Sequence, residues 1–196
     1  MQFILASASP RRRELLEMLG VGPLSVRPSG VVEEDYPELT PEELVVRLAS
    51  NKGEAVLPEA GMGDIVISAD TIVTLNGEIL GKPQDEADAF RMLSTLSGNT
   101  HVVHTGIALL SHEQIKTAVV SSRVTFRELT TEEIWNYIRS GEPMDKAGAY
   151  GIQGRGSLFV SHLDGDFFAV MGFPVCRFAE LMQSFGIEIL SLGRPF

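Results

Sequence analysis

The chain has 196 residues, enough for one domain or two closely joined lobes, and its 44% hydrophobic and 21% charged content is ordinary for a soluble globular protein. A net charge of −10 argues against a general nucleic-acid binder, which carries a basic footprint, yet anionic small molecules remain open wherever a few of the sixteen Lys and Arg residues converge. One cysteine, Cys176, excludes an intramolecular disulfide, and no stretch reads as a membrane span or an export signal, so the expectation is a cytoplasmic protein.

Phe3-Ile4-Leu5-Ala6 reads as a short buried strand. Ser9 and Pro10 follow as an N-cap and first helical residue, with Leu15, Leu16 and Leu19 as the apolar stripe before Gly20. Thr40, Pro41 and Glu43 spell a capping box, ahead of an apolar face through Leu44, Val45, Leu48, Ala49, Ala55 and Val56. Ile65-Val66-Ile67 is a second buried strand that leads into Ser68-Ala69-Asp70-Thr71. Residues 72–75 and 78–80 flank Asn76-Gly77, the strongest short hairpin signal. Asp85 caps a helix carrying Phe90, Leu93 and Leu96, closed near Gly98.

Strand-like stretches at 102–110 and 115–126 are separated by a polar turn at Ser111-His112. Thr130 and Glu133 form another capping box, and a glycine-rich segment at 141–156 interrupts the regularity. Strands at 158–160 and 167–170 are expected around Asp164-Gly165, then a helix from Pro174 to Gly186 in which Cys176 reads as buried packing. Strands and helices mix without a strict βαβ rhythm, which predicts an α/β fold with a mixed sheet.

Four places attract chemical interest. Ser7-Ala8-Ser9-Pro10-Arg11-Arg12-Arg13 sets positive side chains in a first helical turn, against the macrodipole. A bound phosphate would reverse that penalty, since free N–H groups, serine hydroxyls and arginine forks all donate to its oxygens; a solvated basic turn is the alternative. On a helical wheel Lys52 falls near the middle of the Leu44-to-Val56 apolar face, between Leu48 and Ala49, where it must snorkel or meet a polar partner. Asp70 directly follows an apolar strand, a position suited to holding a divalent metal or activating water, and equally to beginning a turn. Glu33 and Glu34 lie in a polar loop as candidate second metal ligands or as solvated charge, and Lys82 is a basic loop position. The glycine-rich segment permits close backbone approach to a ligand, and Gln153 within it offers an amide able to pair with a base edge. Its spacing is neither a Walker loop nor a dinucleotide-binding turn.

Taken together, Ser7-Ala8-Ser9-Pro10-Arg11-Arg12, Ser68-Ala69-Asp70-Thr71-Ile72-Val73, Gly81-Lys82-Pro83, the run from Asp145 to Gly154 and Val170-Met171-Gly172-Phe173-Pro174 resemble the Maf proteins in order and spacing. The resemblance covers 1–190 as a single domain and leaves 191–196 as a tail. It implies the inosine triphosphate pyrophosphatase fold, an elongated mixed sheet with flanking helices and two lobes around a cleft. It also implies hydrolysis of nucleoside triphosphates to monophosphate and pyrophosphate with a divalent cation, Mg²⁺ or Mn²⁺, and it leaves a homodimer open.

By the same resemblance Asp70 is the proton acceptor; the mechanism expected from these residues has Asp70, with Glu33, hold the metal. Ser7, Ser9, Arg11, Arg12, Lys52, Thr71, Lys82, Asp145, Lys146 and Gln153 bind substrate. Arg12, Thr71 and Gln153 match the subgroup acting on dTTP and UTP. The sister subgroup, acting on 7-methyl-GTP, typically has tryptophan and glutamate in place of the second arginine and the glutamine. A cationic methylated guanine favours a carboxylate and an aromatic platform, whereas neutral thymine and uracil suit an amide. The alternatives are that sister activity and a non-catalytic, nucleotide-sensing regulator of septum formation.

Overall fold

Residues 1–32 and 36–192 are described by the computed structural model. In chain order the elements are β1 (Phe3–Leu5), α1 (Pro10–Met18), β2 (Leu24–Val26), α2 (Pro41–Val56), β3 (Ile65–Leu75), β4 (Glu78–Leu80), α3 (Glu86–Leu96), β5 (Thr100–Leu110), β6 (Ile115–Phe126), α4 (Thr131–Ile138), β7 (Val160–Asp164), the single turn α5 (Phe167–Val170) and α6 (Val175–Gln183). The strands form a seven-stranded mixed sheet in the order β2-β1-β3-β5-β6-β7, with β4 added to β3. The chain divides into two compact units. One holds Met1–Asp70, Thr105–Val120 and the segment from Gly172; the other holds Thr71–His104 and Ser121–Met171.

In the first unit the apolar triplet of β1 pairs in parallel with β2 and with β3, Leu5 standing opposite Val26 and Ile67. Helix α2 starts where Thr40 and Glu43 complete their reciprocal capping box, with Pro41 in the first turn. Its buried face is Val45, Leu48, Ala49, Gly53 and Val56, with Gly53 in the place that the sequence pattern gave to Ala55. Gly53 is buried because the helix lies close on its neighbours: a Cβ there would come within 2.2 Å of Leu110 Cδ1 and 2.8 Å of Ser68 Oγ. Gly106 on β5 allows the same approach, since its Cβ would sit 2.3 Å from the Val45 carbonyl oxygen. Ile4, Ala6, Ala49, Val56, Val66, Ala108 and Leu110 fill the resulting core, and each fully buried aliphatic side chain of Val or Leu size stabilises by roughly 1.5–3 kcal/mol.

In the second unit Asn76 and Gly77 adopt φ of 52° and 86°, the left-handed pair of a type I′ turn, and β3 and β4 pair through Val73↔Leu80 and Leu75↔Glu78. Asp85 caps α3 by accepting from the Asp88 N–H at 2.8 Å, and Thr130 with Glu133 caps α4. An aromatic cluster of Phe126, Tyr150, Phe159 and Tyr137 meets edge to face at centroid distances of 4.8–5.8 Å.

Several sequence expectations change. β2 went unread because three residues, Leu24-Ser25-Val26, carry no periodicity. Residues 167–170 form a helical turn rather than a strand, because Asp166 accepts from the N–H groups of Phe168 and Ala169 and so starts a turn. The strand beside Asp164-Gly165 is Val160–Asp164, later than the expected 158–160, whose first two residues close a 3-10 turn. Cys176 is exposed on α6, whose buried side chains are Phe178 and Met182. Among the described residues no helix is long and apolar enough to cross a membrane.

Candidate active site

Two groups of site residues form, one in each unit. In the first, β1 ends at Leu5, the Ala6 N–H reaches the Ile67 carbonyl at 2.8 Å, and Ser7 follows as a buried polar residue. Ser7 Oγ accepts from the Ser9 N–H at 3.2 Å and from Arg12 Nη1 at 3.1 Å. Arg12 Nε donates to the Gly172 carbonyl at 2.9 Å, so the guanidinium is fixed from two sides. This contact gives the Met171-Gly172-Phe173 segment a physical role, with Phe173 fully buried and packed on Phe178 as its anchor. Ser9 sits at the N-cap of α1, but its hydroxyl does not cap the helix. Arg11 Nε is buried without a hydrogen-bond partner among the described residues. Arg13 turns away to Glu17 at 2.7 Å in an exposed i,i+4 pair, leaving Arg11 and Arg12 as the cations of the turn.

Asp70 does not end a strand or begin a turn; it lies inside β3, which runs on to Leu75. Alternation along β3 turns Val66, Ser68 and Asp70 to one face, and α2 covers it. Val66 packs with Ala49, and Ser68 Oγ donates to the Ala49 carbonyl at 2.6 Å. Lys52, three residues further along α2, then meets Asp70: its Nζ donates to Asp70 Oδ1 as a salt bridge. Their side chains are 16% and 10% exposed, so Lys52 takes a polar partner instead of snorkelling to water. Ser7 comes two residues after the Leu5↔Ile67 pair and Asp70 three residues after it. The serine–arginine turn and the carboxylate are therefore carried at the same end of neighbouring parallel strands.

The second unit assembles the other residues. Thr71 follows Asp70 on β3, half-buried. Gly81 accepts from the Gly148 N–H at 3.0 Å, which brings the loop of exposed Lys82 beside the run from Asp145 to Gly154. Gly148 takes φ of +68°, and a Cβ there would lie 3.0–3.1 Å from the Val73 side chain. Lys146 Nζ donates to the Glu142 carbonyl at 2.6 Å and to Asp145 Oδ1 at 2.5 Å; the Lys146 side chain is 13% exposed and that of Asp145 is 70% exposed. Gln153 is exposed at the corner of a tight turn closed by the Gly154 N–H on the Gly151 carbonyl at 3.1 Å.

Glu142 and Tyr137 hold this turn together and were not singled out from the sequence. The spacing of Glu142 to the later glycines could have pointed to them only once the loop was known to fold back on itself. Glu33 lies outside the described residues.

Among the described residues no three His, Cys, Asp or Glu side chains gather into a metal cage. The carboxylate of Asp70 fits a hard cation such as Mg²⁺, which keeps several waters and takes further ligands from substrate phosphates.

The family model described as Maf-like protein matches residues 2–185 of the chain. A Bacillus cereus protein named dTTP/UTP pyrophosphatase is 48% identical over 188 residues, covering 96% of this chain and 97% of the relative. A Moorella thermoacetica protein of the same name is 48% identical over 191 residues, with 96% and 97% covered. Among solved structures, a HAM1 protein from Coxiella burnetii shares the fold at a TM-score of 0.53 and 15% identity, over 94% of this chain and 99% of that one.

Proposed function

We infer the activity from one premise, that this chain belongs to the Maf family: it is a nucleoside triphosphate pyrophosphatase that hydrolyses dTTP and UTP to the monophosphate and pyrophosphate. The observation that carries the reading is the Lys52–Asp70 pair, two charges drawn out of solvent next to the Ser7–Arg12 turn. Such a pair costs desolvation and is weak evidence of a stabilising role, so chemistry is the better account of it. Near 48% identity to relatives named dTTP/UTP pyrophosphatase supports the substrate. A cytoplasmic enzyme formed by a single domain over 1–190 remains part of this reading.

In the proposed reaction a water oxygen attacks the α-phosphorus. The bond from that phosphorus to the α,β-bridging oxygen breaks, and the bridging oxygen leaves with pyrophosphate. Asp70 accepts the proton that the water releases. Arg11, Arg12, Lys52 and Lys82 neutralise the triphosphate and the departing pyrophosphate, with Ser7, Ser9, Asp145 and Lys146 as further polar contacts. Asp70, with Glu33, would hold a divalent cation, which supplies charge withdrawal from the phosphate oxygens when bound. Lys52 already lies on Asp70 and balances its charge before a nucleotide arrives. Arg12, Thr71 and Gln153 set the substrate specificity, the Gln153 amide being suited to pair with the base edge.

Initial rates across dTTP, UTP, dCTP, ATP, GTP and 7-methyl-GTP test the reading. The first two should lead. Preference for 7-methyl-GTP would move the chain to the sister activity, and tight binding without turnover would make it a sensor.

A further inference from the structure

Lys52 is brought to Asp70 by the packing of α2, not by the reach of a surface side chain. About one helical turn to either side, Leu48, Ala49 and Val56 share its face of α2, and all three are buried. The next residue, Gly53, seats the helix close on its neighbours, since a Cβ there would come within 2.2 Å of Leu110 Cδ1. The Ser68 hydroxyl, donating to the Ala49 carbonyl at 2.6 Å, fixes helix against strand. With both side chains largely withdrawn from water, the Lys52 ammonium has Asp70 Oδ1 as a counter-charge set by the fold.

This pairing bears on how the carboxylate meets a divalent cation. A carboxylate already balanced by an ammonium attracts a cation weakly, because the ammonium repels the incoming charge almost as strongly as the carboxylate draws it. The same end of the sheet adds to the repulsion. Arg11 and Arg12 follow β1 there, and Arg11 Nε is buried without a hydrogen-bond partner among the described residues, a donor that an anion would satisfy. A triphosphate reverses the balance. Its oxygens offer acceptors to Lys52, whose three donors turn about one bond, and its negative charge offsets the basic side chains.

We propose that Lys52 guards the Asp70 carboxylate against free divalent cation: by neutralising Asp70 in the nucleotide-free enzyme, it makes cation uptake at this carboxylate depend on nucleotide. The complex of cation and triphosphate is then the form that binds, and uptake of the cation ahead of the nucleotide is suppressed. This rests on the reading of Asp70 as a cation ligand.

The test titrates Mn²⁺ alone into purified, nucleotide-free protein, with free Mn²⁺ read from its EPR spectrum. The wild type is compared with Lys52→Met, Lys52→Gln, Asp70→Asn and the Lys52→Met/Asp70→Asn pair. Lys52→Met keeps the apolar stem and removes the charge. Lys52→Gln keeps a neutral donor and serves if Lys52→Met fails to fold. Each single Lys52 variant should bind Mn²⁺ about tenfold or more tightly than the wild type, since a full charge at salt-bridge distance from the carboxylate is gone. The double variant should lose that gain, which assigns the gained cation to Asp70. No gain in the folded Lys52 variants would overturn the role of Lys52; Mn²⁺ held by the wild type and lost in Asp70→Asn would then leave Asp70 as a ligand. A gain that survives in the double variant would take Asp70 out of cation binding, and the proposal would fall with that reading.

Discussion

Lys52 donates to Asp70 from the middle of the buried face of α2, and both side chains are nearly withdrawn from solvent. Neither charge is placed for solubility. The Ser68–Ala49 hydrogen bond and the close approach at Gly53 and Gly106 hold helix and strand in the register that makes the pair. An arrangement built this tightly around two charges is expected where charge is used.

Asp70→Asn keeps the size and hydrogen-bonding capacity of the side chain and removes its charge. The expected outcome is a fall in kcat of about two to four orders of magnitude, the range for a lost general base. Nucleotide affinity should hold or rise, because repulsion against the triphosphate is relieved. Lys52→Ala should weaken affinity as well as turnover. Steady-state rates with direct nucleotide titration separate the two, and a folded Asp70→Asn protein at wild-type rate would take Asp70 out of the reaction.

Gly106→Ala tests the packing that sets the pair. The new Cβ would meet the Val45 carbonyl oxygen at 2.3 Å, so α2 must shift. A loss of about 1–3 kcal/mol in urea unfolding is expected, as for an overpacked core. Turnover measured well below the melting temperature should fall too, since Lys52 moves with its helix. Unchanged stability would mean that the helix has slack at this contact.

Much of this was legible in the sequence. Capping boxes at Thr40 and Thr130, the Asn76-Gly77 turn and the Asp85 cap are local chemistry, and each forms where the residues say. Asp70 was harder, because Ser68-Ala69-Asp70-Thr71 looks like a turn when the helix that satisfies Ser68 and Asp70 is out of view. Glu142 was invisible for the same reason, since its partners lie 5, 13 and 14 residues away. The exposed Cys176 shows the limit of an apolar pattern on a short helix, where a one-residue change of phase moves a side chain from core to surface.

Burial holds His101 in its neutral form, down to about pKa 4, and its Nδ1 has no hydrogen-bond partner among the described residues. The unfolded chain, with an ordinary histidine near 6.5, binds the proton first. Stability is therefore fully present above pH 6.5 and is lost as the pH falls toward 4, by on the order of 3 kcal/mol. His101→Gln, which keeps a polar group for Tyr150, should flatten this part of the pH profile even if it lowers the melting temperature at pH 7. Urea midpoints at pH 7 and pH 5 measure it, and parallel acid losses in both proteins would exclude His101 as the cause.

Chelation addresses the cation. With one carboxylate at the centre of the described site and a polyanionic substrate, EDTA should abolish turnover of dTTP, and Mg²⁺ or Mn²⁺ should restore it. Full activity in metal-free buffer would remove the cation from the reaction.

The most direct measurement is hydrolysis of dTTP in water enriched in ¹⁸O, with the products weighed by mass spectrometry. Attack at the α-phosphorus predicts dTMP carrying one ¹⁸O and unlabelled pyrophosphate in equal amount. Label in pyrophosphate, or orthophosphate as the first product, would contradict the account.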